Sequence, residues 1–313
     1  MAVLFMKRFV YGILVIYLVV TVTFFMMHAV PGGPFSGAKK VSPVVAGKIA
    51  EKYGLNEPLG LQYLNYLNRV AHLDLGLSLK YPGRAVNELI KESFPVSALL
   101  GLLALAVSMA TGLAMGALAA LKRHRWPDLA ILVTVTLGLC VPNFALASLL
   151  IYVFSLKLKW LPAAMWGSPL QTILPVLALS ALPAAFIARL FRAEMIDTLE
   201  KDFVRMARAK GLSDMRLVTC HVLKIAVIPV LSYLGPLAVE LLTGMFIVEK
   251  IFAIPGLSQY FLNSIINRDY SVTLGITIFY IALLVAFNLL VDLAYLFLNP
   301  RAGLEWGVSH ERA

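Results

Sequence analysis

Charged residues are scarce in this chain. Only 14% of its 313 residues are Asp, Glu, Lys or Arg, and 60% are hydrophobic, where a soluble domain carries about 25% and about 45–50%. Cysteine is nearly absent: Cys140 lies inside an apolar run and Cys220 in a basic stretch, which excludes a disulfide scaffold. The five histidines, His28, His72, His124, His221 and His310, show no metal-ligand spacing, so no metal centre is expected. The sequence contains no Gly-x-x-x-x-Gly-Lys-Ser/Thr loop, no His-Glu-x-x-His and no Gly-x-Ser-x-Gly. The chain therefore offers no cradle for nucleotide phosphates and neither of those two hydrolytic sites, and no cofactor of its own is expected.

What it has is apolar length. Six runs stand out: Phe9–Val30, Val96–Leu121, Leu129–Leu156, Leu170–Leu190, Ile225–Val248 and Ser271–Leu298. About 20 apolar residues cross the roughly 30 Å of bilayer hydrocarbon, so the predicted fold is an all-α, multi-pass integral membrane protein with six transmembrane helices and lipid as its solvent. Lys7 and Arg8 precede the first run, which ends in Met27-His28-Ala29-Val30-Pro31-Gly32 without an Ala-x-Ala site; it reads as an uncleaved anchor.

The net charge of +10 would raise nucleic-acid binding in a soluble protein. Here the cations collect in short loops: Lys7 and Arg8; Lys122, Arg123 and Arg125; and Arg189, Arg192, Lys201, Arg205, Arg208, Lys210, Arg216 and Lys224 between the fourth and fifth runs. With alternating spans these fall on one side, which the positive-inside rule makes cytoplasmic. Both termini are then cytoplasmic, and no nucleic-acid partner is expected. The chain divides into an anchor helix (1–30), an external domain (31–94), a five-helix core (95–298) holding an inner loop (191–224), and a cytoplasmic tail (299–313).

Pro142, Pro175 and Pro183 lie inside the third and fourth runs, where a missing N–H kinks a helix; kinked helices serve either an ordinary bundle or the lining of a cavity. In the external segment, Leu59, Leu61, Tyr63, Leu64, Tyr66, Leu67, Val70 and Ala71 recur at helical spacing and suggest a partly buried helix, with its aromatics used as domain core or as a binding surface. Ile254-Pro255-Gly256-Leu257-Ser258 followed by Tyr260, Phe261, Leu262, Ile265 and Ile266 reads as a turn and a short re-entrant helix, which must be covered by protein or a wet cavity.

The inner loop is the most informative part. Phe203 to Lys210 is rich in helix formers and follows Glu200 and Asp202, whose charges suit a helix N-terminus. Gly211 fits the left-handed position that ends a helix. Ser213 fits the N-cap of a second helix running to Lys224. Ala207 and Ala209 allow another surface to approach closely, and Arg205 and Arg208 sit about 60° apart on the helical wheel. A solvated basic loop would account for the charge alone; the helix, turn, helix pattern points instead to docking.

At these residues the sequence resembles the inner-membrane permeases of binding-protein-dependent ABC importers, whose inner loop has the form Glu-Ala-Ala, three residues, Gly, about nine residues and an apolar-x-Leu-Pro ending. Arg205-Met206-Ala207-Arg208-Ala209-Lys210-Gly211-Leu212 and Ile228-Pro229 occupy that pattern, in a variant similar to the peptide/nickel branch. Lys52-Tyr53-Gly54-Leu55-Asn56-Glu57-Pro58, Leu73-Asp74-Leu75-Gly76, Leu161-Pro162-Ala163, Val248-Glu249-Lys250-Ile251-Phe252, Asn267-Arg268-Asp269-Tyr270, Asn288-Leu289-Leu290-Val291-Asp292 and Asn299-Pro300-Arg301 extend the resemblance to the first permease of oligopeptide importers. The chain departs from the pattern at Met206 for the opening Glu, at Ile225 where Asn is frequent, and at Ser258 for a frequent Gly.

The resemblance implies a type I importer permease in a bacterial or archaeal inner membrane, working with a second homologous permease, two ATPase subunits and an external solute-binding protein. ATP would be used by the ATPase partners, so the chain itself is not an enzyme. Arg205, Ala207, Arg208, Ala209, Lys210, Gly211, Leu212 and Pro229 would form the coupling site, and Pro255 and Gly256 the outer re-entrant loop. The intramembrane polar residues Glu240, Asn288 and Asp292 are either part of the pathway or helix–helix glue. The implied solute is an oligopeptide, with a dipeptide, a nickel chelate or another small solute as alternatives. An ion-coupled secondary transporter is the rival outside the family, disfavoured by the lack of a visible inverted repeat.

Overall fold

The structure, a computed structural model, describes residues 2–29 and 56–298. Among the described residues there are helices and no strand, only one isolated antiparallel bridge between Leu77 and Ala85. In chain order the helices are α1 (Ala2–Ala29), α2 (Leu59–Ala71), α3 (Val86–Leu121), α4 (Trp126–Cys140), α5 (Asn143–Leu150), α6 (Pro169–Leu199), α7 (Asp202–Ala209), α8 (Asp214–Leu217), α9 (Leu223–Ala226), α10 (Ile228–Ile251), α11 (Leu257–Asn267) and α12 (Tyr270–Leu298). Wider π-type turns extend α5 through Ile151–Lys157 and join α8 to α9 through Val218–Val222.

Five helical stretches are long and apolar enough to cross a membrane, and a bent pair supplies a sixth. In that pair the kink expected at Pro142 is a sharp bend. The segments Trp126–Cys140 and Asn143–Lys157 meet at 106°, because Pro142 has no N–H to donate and holds Val141 in extended backbone (φ −90°, ψ 116°). Pro175 and Pro183 sit inside α6 without ending it.

Other boundaries shift as well. α3 starts at Val86 instead of Val96 and runs 36 residues, about 54 Å, so part of it extends past the hydrocarbon. α6 has 31 residues, about 46 Å, and therefore carries Arg189 and Arg192 on helix instead of in a loop. Its start is set by a capping box: Gln171 Oε1 accepts the Ser168 N–H at 3.0 Å, and Pro169 takes the first turn, where no donor is needed. The second inner helix does not end near Lys224; α8, α9 and α10 follow one another with only Val227 between the last two.

The described residues form two compact units, one of 98–254 with 286–298, the other of 2–29 and 56–97 with 255–285. In the first, α6 is the central helix: 61% of its apolar window is buried, against 17% for α1, which leaves α1 mostly to lipid. Leu174, Leu179, Ile187, Phe191 and Met195 of α6 are fully enclosed, and α4, α5 and α10 pack around them. α3 reaches α6 through Gly112-x-x-x-Gly116. A Cβ at Gly112 would lie 2.9 Å from the Ala184 carbonyl oxygen, and one at Gly116 2.7 Å from that of Ala188, so only glycine permits this approach. Nearby, the buried Ser108 hydroxyl lies 3.2 Å from the Ser180 carbonyl.

In the second unit, the α2 residues Tyr63 and Tyr66 pack on the end of α1. Tyr66 stacks on Phe24, and the hydroxyls of Tyr63 and Thr21 are 2.7 Å apart. Tyr66 is buried with Val20, Phe24, Leu274 and Ile278, so this aromatic serves as core; burial pushes its phenol well above the ordinary value. A second cluster joins Val86, Leu89 and Ile90 of α3 to Leu257 of α11 and Val272 and Ile276 of α12.

Candidate functional site

α7 is an exposed helix of eight residues anchored by one side chain, Val204, which is fully buried. Arg205, Met206, Arg208, Ala209 and Lys210 are exposed, and Ala207 and Leu212 half-buried. The helix ends in a Schellman motif: Gly211 N–H donates to Arg208 O at 2.9 Å and Leu212 N–H to Ala207 O at 3.2 Å. That motif requires left-handed backbone at Gly211, where φ is +80°. Ser213 takes the N-cap position of α8, as expected, but its side chain makes no capping bond.

Two of the basic side chains here are paired. Arg205 lies 3.7 Å from Asp202, and Arg208 Nε donates to Asp214 at 3.1 Å, bridging the turn from α7 to α8. Both pairs are well exposed and contribute little to stability. The Arg208–Asp214 pair was not anticipated, although a cation three residues before Gly211 and an anion three after it are the available signal. The other end of the two-helix element is held by Leu217, fully buried on α8. Pro229 stands in the first turn of α10, half-buried and away from the exposed turn in sequence.

The base of this element carries two further ion pairs. Arg192 of α6 grips Asp128 of α4 with both arms, Nε to Oδ1 at 2.7 Å and Nη2 to Oδ2 at 2.8 Å. The His124 N–H adds a 3.1 Å bond to the same carboxylate, whose side chain is only 5% exposed. Arg123 donates to Glu200 at 2.6 Å. In sequence these residues read only as charges of topology; their pairing needed the packing of α4 on α6.

Of the pathway candidates, Asn288 on α12 lies against Gly235 of α10, where its Oδ1 would clash with any Cβ. Glu240 lies on α10 and Asp292 on α12, and their side chains lie outside the described residues. Pro255 and Gly256, the latter at the N-cap of α11, line a cavity of about 400 Å³ together with Tyr81, Glu92, Gln259, Tyr260 and Asn263. The α11 start is fixed there by the Ser97 hydroxyl, which accepts the Leu257 N–H at 2.9 Å. Both cysteines are free, and no cluster of three or more metal-ligating side chains exists among the described residues.

Comparison with known proteins covers nearly the whole chain. Residues 1–98 match the family model for the N-terminal part of the binding-protein-dependent transport system membrane component. Residues 112–303 match that for the binding-protein-dependent transport system inner membrane component. The dipeptide transport system permease protein DppB of Bacillus subtilis is 43% identical over 298 residues, 95% of this chain and 97% of the relative. The oligopeptide transport system permease protein OppB of Salmonella typhimurium is 42% identical over 299 residues, again 95% and 97%. Among solved structures, an amino acid ABC transporter superposes with a TM-score of 0.50 at 20% identity, over 67% of this chain and 94% of that one.

Proposed function

The chain belongs to the family of binding-protein-dependent transport system inner membrane components, and from that membership we propose that it is a permease subunit of an ATP-driven peptide importer. Its type I permease fold and its membrane-crossing helices accord with this role. The observation that carries the mechanism is the α7–Gly211–α8 turn: a short, exposed helix closed by a left-handed glycine and anchored at each end by a single fully buried side chain. Such an element presents a shaped polar surface to a partner and is fastened to the bundle behind it.

In this reading the partner is an ATPase. Ala207 and Ala209 let its surface approach, and the exposed Met206 and Met215 (57% and 77%) supply adaptable apolar contact. Arg205, Arg208 and Lys210 supply charge around that contact. ATP-driven closure of two ATPases displaces α7, and the spans follow as a body. The two transport states must differ in their contacts for this to do work. The assembly contains a second homologous permease and an external solute-binding protein; the chain itself hydrolyses nothing and binds no nucleotide. Both termini and the α7–α8 turn lie on the cytoplasmic side, in keeping with the cations of the short loops.

The solute is a peptide. Its length is set by the binding protein, since the permease is equally similar to relatives named for dipeptide and for oligopeptide transport. The deciding experiment is reconstitution of the chain with its neighbouring-gene partners in vesicles. ATP-dependent accumulation of labelled peptide is expected. Uptake that follows an ion gradient without ATP would overturn the reading in favour of a secondary transporter.

A further inference from the structure

The coupling surface is fastened to more than the helix that leads into it. α7 follows α6 after only Glu200 and Lys201, so a push on α7 reaches α6 directly. Arg192, two helical turns before the end of α6, holds Asp128 with two bonds of 2.7 and 2.8 Å. Asp128 stands in the first turn of α4, just after Trp126-Pro127. Its carboxylate also accepts the His124 N–H at 3.1 Å, which draws in the loop between α3 and α4. From the same loop Arg123 reaches Glu200 at 2.6 Å, the first residue past α6. Gly112 and Gly116 bring α3 against α6 over the same stretch, with Ala184, Ala188 and Phe191 opposite.

We propose that Asp128 and Arg192, supported by Arg123–Glu200, are positioning residues for coupling: they make α4 and the α3–α4 loop part of the body that α7 drives. The proposal rests on the importer reading above. The physical reason is the contrast in burial. An exposed monodentate pair can swing with its long side chains and transmits little. Asp128 is 5% exposed and Arg192 22%, and the planar fork of an arginine on a carboxylate fixes direction as well as distance. A hinge between α4 and α6 would have to leave a buried carboxylate unpaired, which is costly. Displacement of α6 therefore carries α4, and with it the Pro142 bend and α5, instead of sliding past them. The exposed Arg123–Glu200 pair (42% and 63%) guides the loop without locking it.

The test uses the complete importer in vesicles, with the variants Asp128→Asn, Arg192→Gln, the double variant, Arg192→Lys and Glu200→Gln. The readout is peptide accumulated per ATP hydrolysed. Asp128→Asn and Arg192→Gln should each lower that ratio about fivefold or more while ATP hydrolysis continues, and the double variant should be no worse than the weaker single, since both remove one unit. Arg192→Lys, with charge but no fork, should fall between, and Glu200→Gln should have a smaller effect. An unchanged ratio in the assembled variants overturns the proposal. Failure of all the Arg192 variants, lysine included, to assemble also overturns it, because the pair would then only hold the fold. Absence of ATP-driven uptake in the wild type would instead refute the importer reading itself.

Discussion

Ser78 and Asp269, 191 residues apart in the chain, meet in a buried hydrogen bond of 2.5 Å in which the serine hydroxyl donates to the carboxyl. The same carboxyl accepts the backbone N–H groups of Leu79 at 3.2 Å, Lys80 at 3.0 Å and Val272 at 3.3 Å. Asp269 thus ties the turn closed by the Leu77–Ala85 bridge to the start of α12, immediately after Arg268 reverses the chain with a φ of 55°. A buried acceptor shared among four donors organises this loop.

Replacing Asp269 by Ala removes the acceptor of the Ser78 hydroxyl and of the Leu79 and Val272 N–H groups, while Lys80 N–H keeps Ser78 Oγ at 3.1 Å; each buried unpaired group costs about 1–3 kcal/mol. A net loss of about 3 kcal/mol is expected for Asp269→Ala and a smaller one for Asp269→Asn, which keeps one acceptor. Thermal unfolding of the purified complex in detergent, with protease sensitivity of the 77–85 turn, measures both. An alanine variant that melts like the wild type and resists protease would show that the carboxyl does not organise the turn.

Gly211 offers a cleaner separation of backbone from sterics. Among the described residues, its two chain neighbours aside, no atom lies within 4 Å of the position its Cβ would take, so the effect of substitution comes from the left-handed φ of +80°. Asn tolerates that region and β-branched residues do not. Gly211→Asn should retain most ATP-driven uptake, while Gly211→Val should lose about 1–2 kcal/mol of turn stability and most uptake. Equal activity of the two variants would mean that the turn geometry is irrelevant to coupling.

Among the described residues the buried hydroxyl of Tyr66 has no hydrogen-bond partner, though its ring stacks on Phe24. Tyr66→Phe removes an unsatisfied polar group and keeps the ring. Stability should rise by up to about 1 kcal/mol, whereas Tyr66→Ala should cost about 3–5 kcal/mol through the cavity it leaves. Melting temperatures of the two variants, moving in opposite directions, are the check; a Phe variant less stable than wild type would reveal a role for the hydroxyl.

Gly116→Ala places a methyl 2.7 Å from the Ala188 carbonyl oxygen, a distance backbone cannot yield cheaply. A loss of about 1–3 kcal/mol is expected, and Gly116→Leu should prevent assembly. Gly60→Ala, where no described atom lies within 4 Å of the added Cβ, is the control and should be no less stable than wild type and match it in yield.

Much of this architecture was legible in the chain itself, because lipid is a demanding solvent. A backbone crossing hydrocarbon must satisfy its own hydrogen bonds, so runs such as Phe9–Val30 and Ser271–Leu298 had to be helices, and the structure has them at Ala2–Ala29 and Tyr270–Leu298. Gly211 was equally readable, since a glycine after a run of helix formers has a local reason to turn left-handed. The helix ends were harder. The early start of α3 and the continuation of α6 to Leu199 lie where apolar content stops but helical hydrogen bonding does not, and hydropathy is blind to that difference.

The inner loop that marks this family was determined by sequence alone, through Arg205, Arg208, Gly211 and the absence of any phosphate-binding loop. What the tertiary structure decided is which charges meet. Asp128 with Arg192, Arg123 with Glu200 and Asp269 with Ser78 are separated by 64, 77 and 191 residues. A hydrophobic pattern specifies which face of a helix is apolar, but not which neighbour lies across from it. Asp128 meets Arg192 only where α4 packs on α6, and Asp269 meets Ser78 only where the 77–85 turn lies against the start of α12.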